Sequence, residues 1–110
     1  MIIALQADLR FASTDASFEA PFAKRGLPAE YDTAERLVQL VGPGHAADLL
    51  LTARRVSVAE ALSMGLVNRI YNPHDLSTNA LEQARAIAQL SPASLKAIKH
   101  QLATIRRVIH

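Results

Sequence analysis

Cysteine and tryptophan are both absent from these 110 residues, and the aromatics amount to three Phe and two Tyr. Without cysteine neither a disulfide nor a thiolate metal site can form, a composition compatible with a reducing compartment such as the cytoplasm. No apolar run approaches the roughly 20 residues that a helix needs to cross a bilayer, so no membrane association is expected. The opening MIIALQADLR lacks a basic start and its apolar stretch is short, so it does not read as a signal peptide. Histidine occurs only at His45, His74, His100 and His110, with no H-x-x-x-H pair. The expectation is surface histidines and no metal. Acid is missing from the C-terminal end: residues 83–110 hold Arg85, Lys96, Lys99, Arg106 and Arg107, a balance of +5, against −3 for residues 1–82. A basic end can meet phosphate, on nucleic acid, on a membrane surface or on coenzyme A, or can be only a solvated helix face.

What is present is a globular composition, 50% hydrophobic and 20% charged, in a single domain that buries roughly two-thirds of its unfolded surface. No repeat and no Pro/Gly/Ser linker divides the chain. Residues 1–7 read as the last turns of a helix, and Leu9–Ala12 as a short strand. Ser17–Arg25 is ambiguous, with Phe18, Ala20 and Phe22 alternating as in a strand, and Gly26–Tyr31 is a loop punctuated by Gly26 and Pro28. Asp32-Thr-Ala-Glu35 has the capping-box pattern, with Gly42 ending that helix and Pro43-Gly44 breaking the chain before a helix over His45–Thr52. Asp32 and Thr33 are therefore read as capping residues. Ser57-Val-Ala-Glu60 is a second capping box, closed by Gly65. Leu66–Tyr71 reads as a strand, Asn72-Pro73 as a turn and Asp75–Leu90 as a helix. Ser91 caps a final helix whose first turn holds Pro92 and which runs to Val108. Leu95, Ile98, Leu102, Ile105 and Ile109 follow one another along it at alternating steps of three and four. Such spacing makes one narrow apolar stripe, typical of core or of a subunit interface.

Four segments carry a resemblance: DLRFAS (Asp8–Ser13), RGL (Arg25–Leu27), the RL..LVG step (Arg36–Gly42) and S-x-x-E-A-x-x-x-G-L-V-N (Ser57–Asn68). Together, in order and almost without gaps, they resemble the crotonase family, the enoyl-CoA hydratases and isomerases. The resemblance implies an α/β fold, a spiral of β-β-α units followed by helices that build trimers. This chain is expected to hold a C-terminal half of it: the last spiral turn and part of the helical region, mostly helical. Residues 1–31 would be the end of the spiral core with an active-site loop, and residues 32–110 the helical region. Asp8 is expected to cap the junction of helix and strand.

The resemblance further implies an acyl-CoA substrate, with coenzyme A carried on the substrate and no other cofactor. Its enolate would be stabilised by two backbone N–H groups. One belongs to an early loop and one to a Gly-rich turn just before the position of Met1, so the chain by itself is expected to catalyse poorly. The two glutamates of family hydratases fall at Ile2 and Phe22, which cannot move protons. Glu30, in the G-x-x-x-E setting Gly26–Glu30, matches the single glutamate of an isomerase branch. A carboxylate in a loop over an apolar pocket has its pKa raised toward working pH, which suits a general base. Phe22, Leu27 and Pro28 are candidate pocket walls, and Lys96 and Lys99 candidate contacts to the coenzyme phosphates. The alternative for Glu30 is a solvent-facing acid before a helix. The alternative for the whole chain is an inactive remnant that serves only as an oligomerisation module. A nucleic-acid binder ranks last, because the basic end lacks interleaved aromatics and any helix-turn-helix signature.

Overall fold

The computed structural model describes residues 5–108, with side chains placed through Arg106. Of the helix end expected over residues 1–7, Leu5 is helical and the chain turns away at Gln6. Ile2, Ile109 and His110 lie outside the described residues. The elements in order are β1 (Phe11–Ser13), β2 (Ser17–Phe18), a 3₁₀ turn (Ala23–Arg25), α1 (Tyr31–Thr52), β3 (Val56–Ser57), α2 (Val58–Met64), β4 (Arg69–Tyr71), α3 (Leu76–Ala88) and α4 (Pro92–Val108). The described chain is thus mostly helical, with two small two-stranded sheets.

β1 and β4 pair in parallel, Ala12 opposite Ile70, and α1 and α2 lie in the crossover that a parallel pair requires. Arg10 donates its N–H to Asn68 Oδ1 at 2.8 Å, and Asn68 returns its own N–H to Arg10 O at 2.7 Å. The side chain of Asn68 thus stands in for one backbone step of the ladder. This is why the strand expected at Leu9–Ala12 starts two residues later. The strand expected from Leu66 starts at Arg69 for a different reason. The N–H groups of Leu66 and Val67 both turn back to Ala61 O, closing the end of α2. β2 pairs antiparallel with β3, Phe18 opposite Val56, and stops there. Pro21 has no N–H to offer a ladder, and Arg25 N–H folds back to Pro21 O and Phe22 O, so the Phe18/Ala20/Phe22 alternation does not extend the strand.

The helix expected from Asp32 begins one residue earlier. Glu30 is its N-cap, with extended backbone (φ −62°, ψ 142°), and no side chain caps it. Asp32 falls instead in the first turn, where its charge still favours the helix dipole. Gly42 breaks the helical geometry as expected (φ 83°, ψ 163°), yet the run resumes at once. Pro43, whose missing N–H suits a first helical turn, restarts it, so the span labelled α1 is two helical segments that meet at a kink at Gly42, as the sequence predicts. The second capping box forms at its N-cap half: Ser57 accepts from Glu60 N–H, and Gly65 closes α2 in the left-handed region. Ser91 likewise accepts from Ser94 N–H at the start of α4.

The core gathers Leu5, Ala12, Leu37, Val41, Leu49, Val56, Ala61, Leu66 and Val67, from α1, α2, the strands and their connections. α3 buries none of its residues. On α4, Leu95 is half-buried while Ile98, Leu102 and Ile105 stay exposed at 48%, 43% and 54%.

Candidate active site

Glu30 enters the site because its own backbone is extended and α1 starts immediately after it. Its carboxylate is exposed and makes no capping hydrogen bond. It lines a cavity of about 390 Å³ together with Gln6, Asp32, Glu35, Arg36 and Gln39. The floor is polar, not the apolar pocket expected. α1 presents Asp32, Glu35, Arg36 and Gln39 on successive turns of one face, while Leu37 and Val41 turn into the core. Phe22, Leu27 and Pro28 do not line this cavity: Phe22 is half-buried beside the 3₁₀ turn, and Leu27 and Pro28 stand exposed on the loop.

Two arginines hold the site from behind, and the sequence reading missed both. Arg36, only 7% exposed, donates from Nε to Leu5 O at 2.6 Å and from Nη2 to Ala7 O at 3.2 Å. Arg10, 9% exposed, donates from Nη1 to the same Ala7 O at 2.6 Å and from Nε to Leu66 O at 2.7 Å. Burial pushes the pKa of each guanidinium down, and neighbouring cations add to the effect. Both nevertheless stay charged, since arginine does not deprotonate in proteins. A signal for Arg36 did exist. Thr33, Arg36, Leu37 and Val41 recur at helical spacing, and all four are buried.

Asp8 does not cap a helix–strand junction. Its carboxylate accepts from Lys99 Nζ at 3.1 Å and Arg106 Nη2 at 3.0 Å, which ties α4 to the Gln6–Asp8 turn. These partners, Lys99 first, hold the Asp8 carboxyl below the usual carboxylate range. Lys99 is therefore engaged with Asp8, and Lys96 is exposed on the same helix. Thr33 is not a cap either: it is 1% exposed, and its hydroxyl has no hydrogen-bond partner. Among the described residues no group of three His, Asp or Glu lies close enough to hold a metal ion, and no helix is long and apolar enough to cross a membrane.

The sequence profile described as enoyl-CoA hydratase/isomerase matches residues 1–107. The chain belongs to the enoyl-CoA hydratase/isomerase family. A carnitinyl-CoA dehydratase of Salmonella arizonae is 36% identical over 94% of this chain and 40% of its own length. A short-chain-enoyl-CoA hydratase of Clostridium acetobutylicum is 36% identical over 91% of this chain and 38% of its own. The crystal structure of an enoyl-CoA hydratase/isomerase from Pseudoalteromonas atlantica T6c superposes with a TM-score of 0.87 at 36% identity, over 94% of this chain and 42% of that one. The chain thus spans about 40% of the length of the curated family members it matches. Residues 1–107 that match the profile include the arginine pair, Glu30 and the Ser57–Asn68 segment.

Proposed function

We propose that this protein acts on the double bond of an unsaturated acyl-CoA, by isomerisation or hydration through the thioester enolate, with Glu30 as the proton carrier. The observation that carries the reading is the placement of Glu30. It is a carboxylate at the open edge of a cavity, fixed by the start of a long helix and not consumed as a cap. In isomerisation the carboxylate takes a proton from one carbon of the enoyl chain. The electron pair moves into the thioester as an enolate, and the same proton returns to the other carbon. A lone base serves both steps because no water has to be held. Phe22, Leu27 and Pro28 would line the acyl chain where the loop meets substrate. Lys96 would approach the coenzyme phosphates, joined by Lys99 if it exchanges Asp8 for phosphate. Coenzyme A on the substrate is the only cofactor this reading needs, and a cytoplasmic enzyme fits it.

The finer architecture belongs to the same reading. Residues 1–31 would end the spiral core and carry the active-site loop, and residues 32–110 would be a mainly helical region whose strands β3 and β4 return to pair with β2 and β1. The exposed stripe of α4 would join copies of the chain into a trimer-type assembly.

The test is turnover of 2-enoyl-CoA and 3-enoyl-CoA by the protein isolated from its own cells, beside an E30Q variant. Loss of on the order of 10²–10⁴-fold in kcat with acyl-CoA binding retained is the expected result, the usual contribution of general acid–base catalysis. Turnover unchanged in E30Q removes Glu30 from the mechanism.

A further inference from the structure

We propose that Arg36 is the positioning residue for Glu30, acting through a two-arginine clamp on the backbone of the Leu5–Ala7 segment. This proposal rests on the reading of Glu30 given above. Glu30 has no capping bond to hold its side chain, so its location is set by the backbone of α1. Arg36 lies six residues further along α1, about 9 Å along the axis at 1.5 Å per residue. From the cavity wall it reaches to the segment that holds Gln6. Its guanidinium spans Leu5 O and Ala7 O, on either side of Gln6, which faces the same cavity as Glu30. The carbonyl of Ala7 is held a second time, by Arg10, which is itself anchored on Leu66 O and, through its backbone, on Asn68. One carbonyl has two lone pairs, and here both are filled by charged donors.

The chain of contacts runs from Glu30 through α1 to Arg36, then through Ala7 to Arg10 and the Leu66–Asn68 segment. It explains why separate sequence signatures, DLR at Asp8–Arg10, RL at Arg36–Leu37 and GLVN at Gly65–Asn68, meet at one place in the fold. The geometry needs a planar fork. A lysine at position 36 keeps the charge but is a point donor and cannot take two carbonyls at fixed angles. A methionine fills similar volume but takes the Arg36 donor from the buried Leu5 carbonyl and leaves Ala7 O to Arg10 alone.

The experiment compares R36K, R36M and E30Q with wild type, all isolated as the full native protein. kcat and KM are measured per folded molecule, and thermal unfolding is followed in parallel. For R36M the expected result is a drop in kcat of about 30–100-fold with KM held within about threefold, since a misplacement near 1 Å costs up to about 10²-fold. R36K is expected to recover part of kcat, and it keeps the test alive if R36M does not fold. A purely structural role lowers the unfolding temperature and the folded fraction but leaves kcat per folded molecule unchanged. That outcome in R36K and R36M, with E30Q inactive, overturns the clamp proposal and leaves Glu30 in place. Wild-type turnover in E30Q, or an inactive wild type, overturns the Glu30 reading and the clamp with it.

Discussion

Asp8 shows how one side chain can link an ion pair to a helix position. Its carboxylate meets Lys99 and Arg106 of α4 while its backbone continues from the turn gripped by Arg36 and Arg10. Those partners lower its pKa in the folded state, Lys99 contributing most. A carboxyl depressed on folding contributes stability that is present above its unfolded pKa, about 3.9, and is lost as pH falls through the lower folded value. The side chain is 38% exposed, so solvent screens the pair and the contribution is modest. Below about pH 4 we therefore expect α4 to loosen first, seen as a loss of amide-exchange protection over Pro92–Val108. D8N should show that loss of protection, relative to the intrinsic exchange rate at each pH, already at pH 7 and little further loss on acidification. An acid profile shared by D8N and wild type would break the link between Asp8 and α4. Glycine at position 65 has a comparable local cause. Its φ is +90°, and an added Cβ would sit 3.1 Å from Leu40 O, so α2 closes there only because no side chain intervenes.

At the scale of elements, the bend in α1 is the feature with the clearest physical price. Gly42 adopts φ 83°, ψ 163°, a region almost closed to residues with a Cβ. Nothing lies within 4 Å of where that Cβ would be, so the cost of G42A is backbone strain alone, about 1–3 kcal/mol. Gly44, two residues on, also has open space around it but no positive φ. G44A should therefore be neutral or slightly stabilising, by about 0.4–1 kcal/mol at most. Denaturant midpoints for the two variants, measured side by side, test the assignment. Equal midpoints would mean that the bend is not specified at Gly42. The capping patterns show why such elements are legible only in part. Ser57 and Ser91 cap where their pattern places them, because in both the next residues are free to turn into helix. Asp32 does not, because Glu30, with extended backbone, is the N-cap, so the helix starts at Tyr31 and Asp32 falls inside it.

On the scale of the molecule, the chain is wider than its length suggests. Its Cα radius of gyration is 15.3 Å, against about 13 Å for a compact domain of 100 residues. Among the described residues neither α3 nor α4 adds a buried residue to the core cluster. Ile98, Leu102 and Ile105 border an open apolar groove of about 670 Å³ along α4. This is the surface that the proposed contact between copies would cover. Sedimentation should show self-association of the wild type, and the double change I98K/I105K should weaken it without loss of helical content. Sedimentation identical for the two would remove the α4 stripe from any interface between copies.

The sequence by itself determined the family, the mostly helical character, the second capping box, the break at Gly42 and the apolar period of the last helix. The family rests on the resemblance of four sequence segments; the rest follow from local rules: which residue turns the backbone, which caps a helix, and which face of a 3.6-residue period is apolar. Tertiary structure decided which groups face one another. It placed Glu30 on a polar cavity instead of an apolar one, moved Asp8 from a cap to an ion pair with α4, and turned Arg36 inward to meet Ala7 beside Arg10. The partners of these residues lie 29 residues away for Arg36 and 98 for Arg106 with Asp8. Local propensity cannot specify contacts at such separations, because they exist only once the core has brought α1, α4 and the strand connections together.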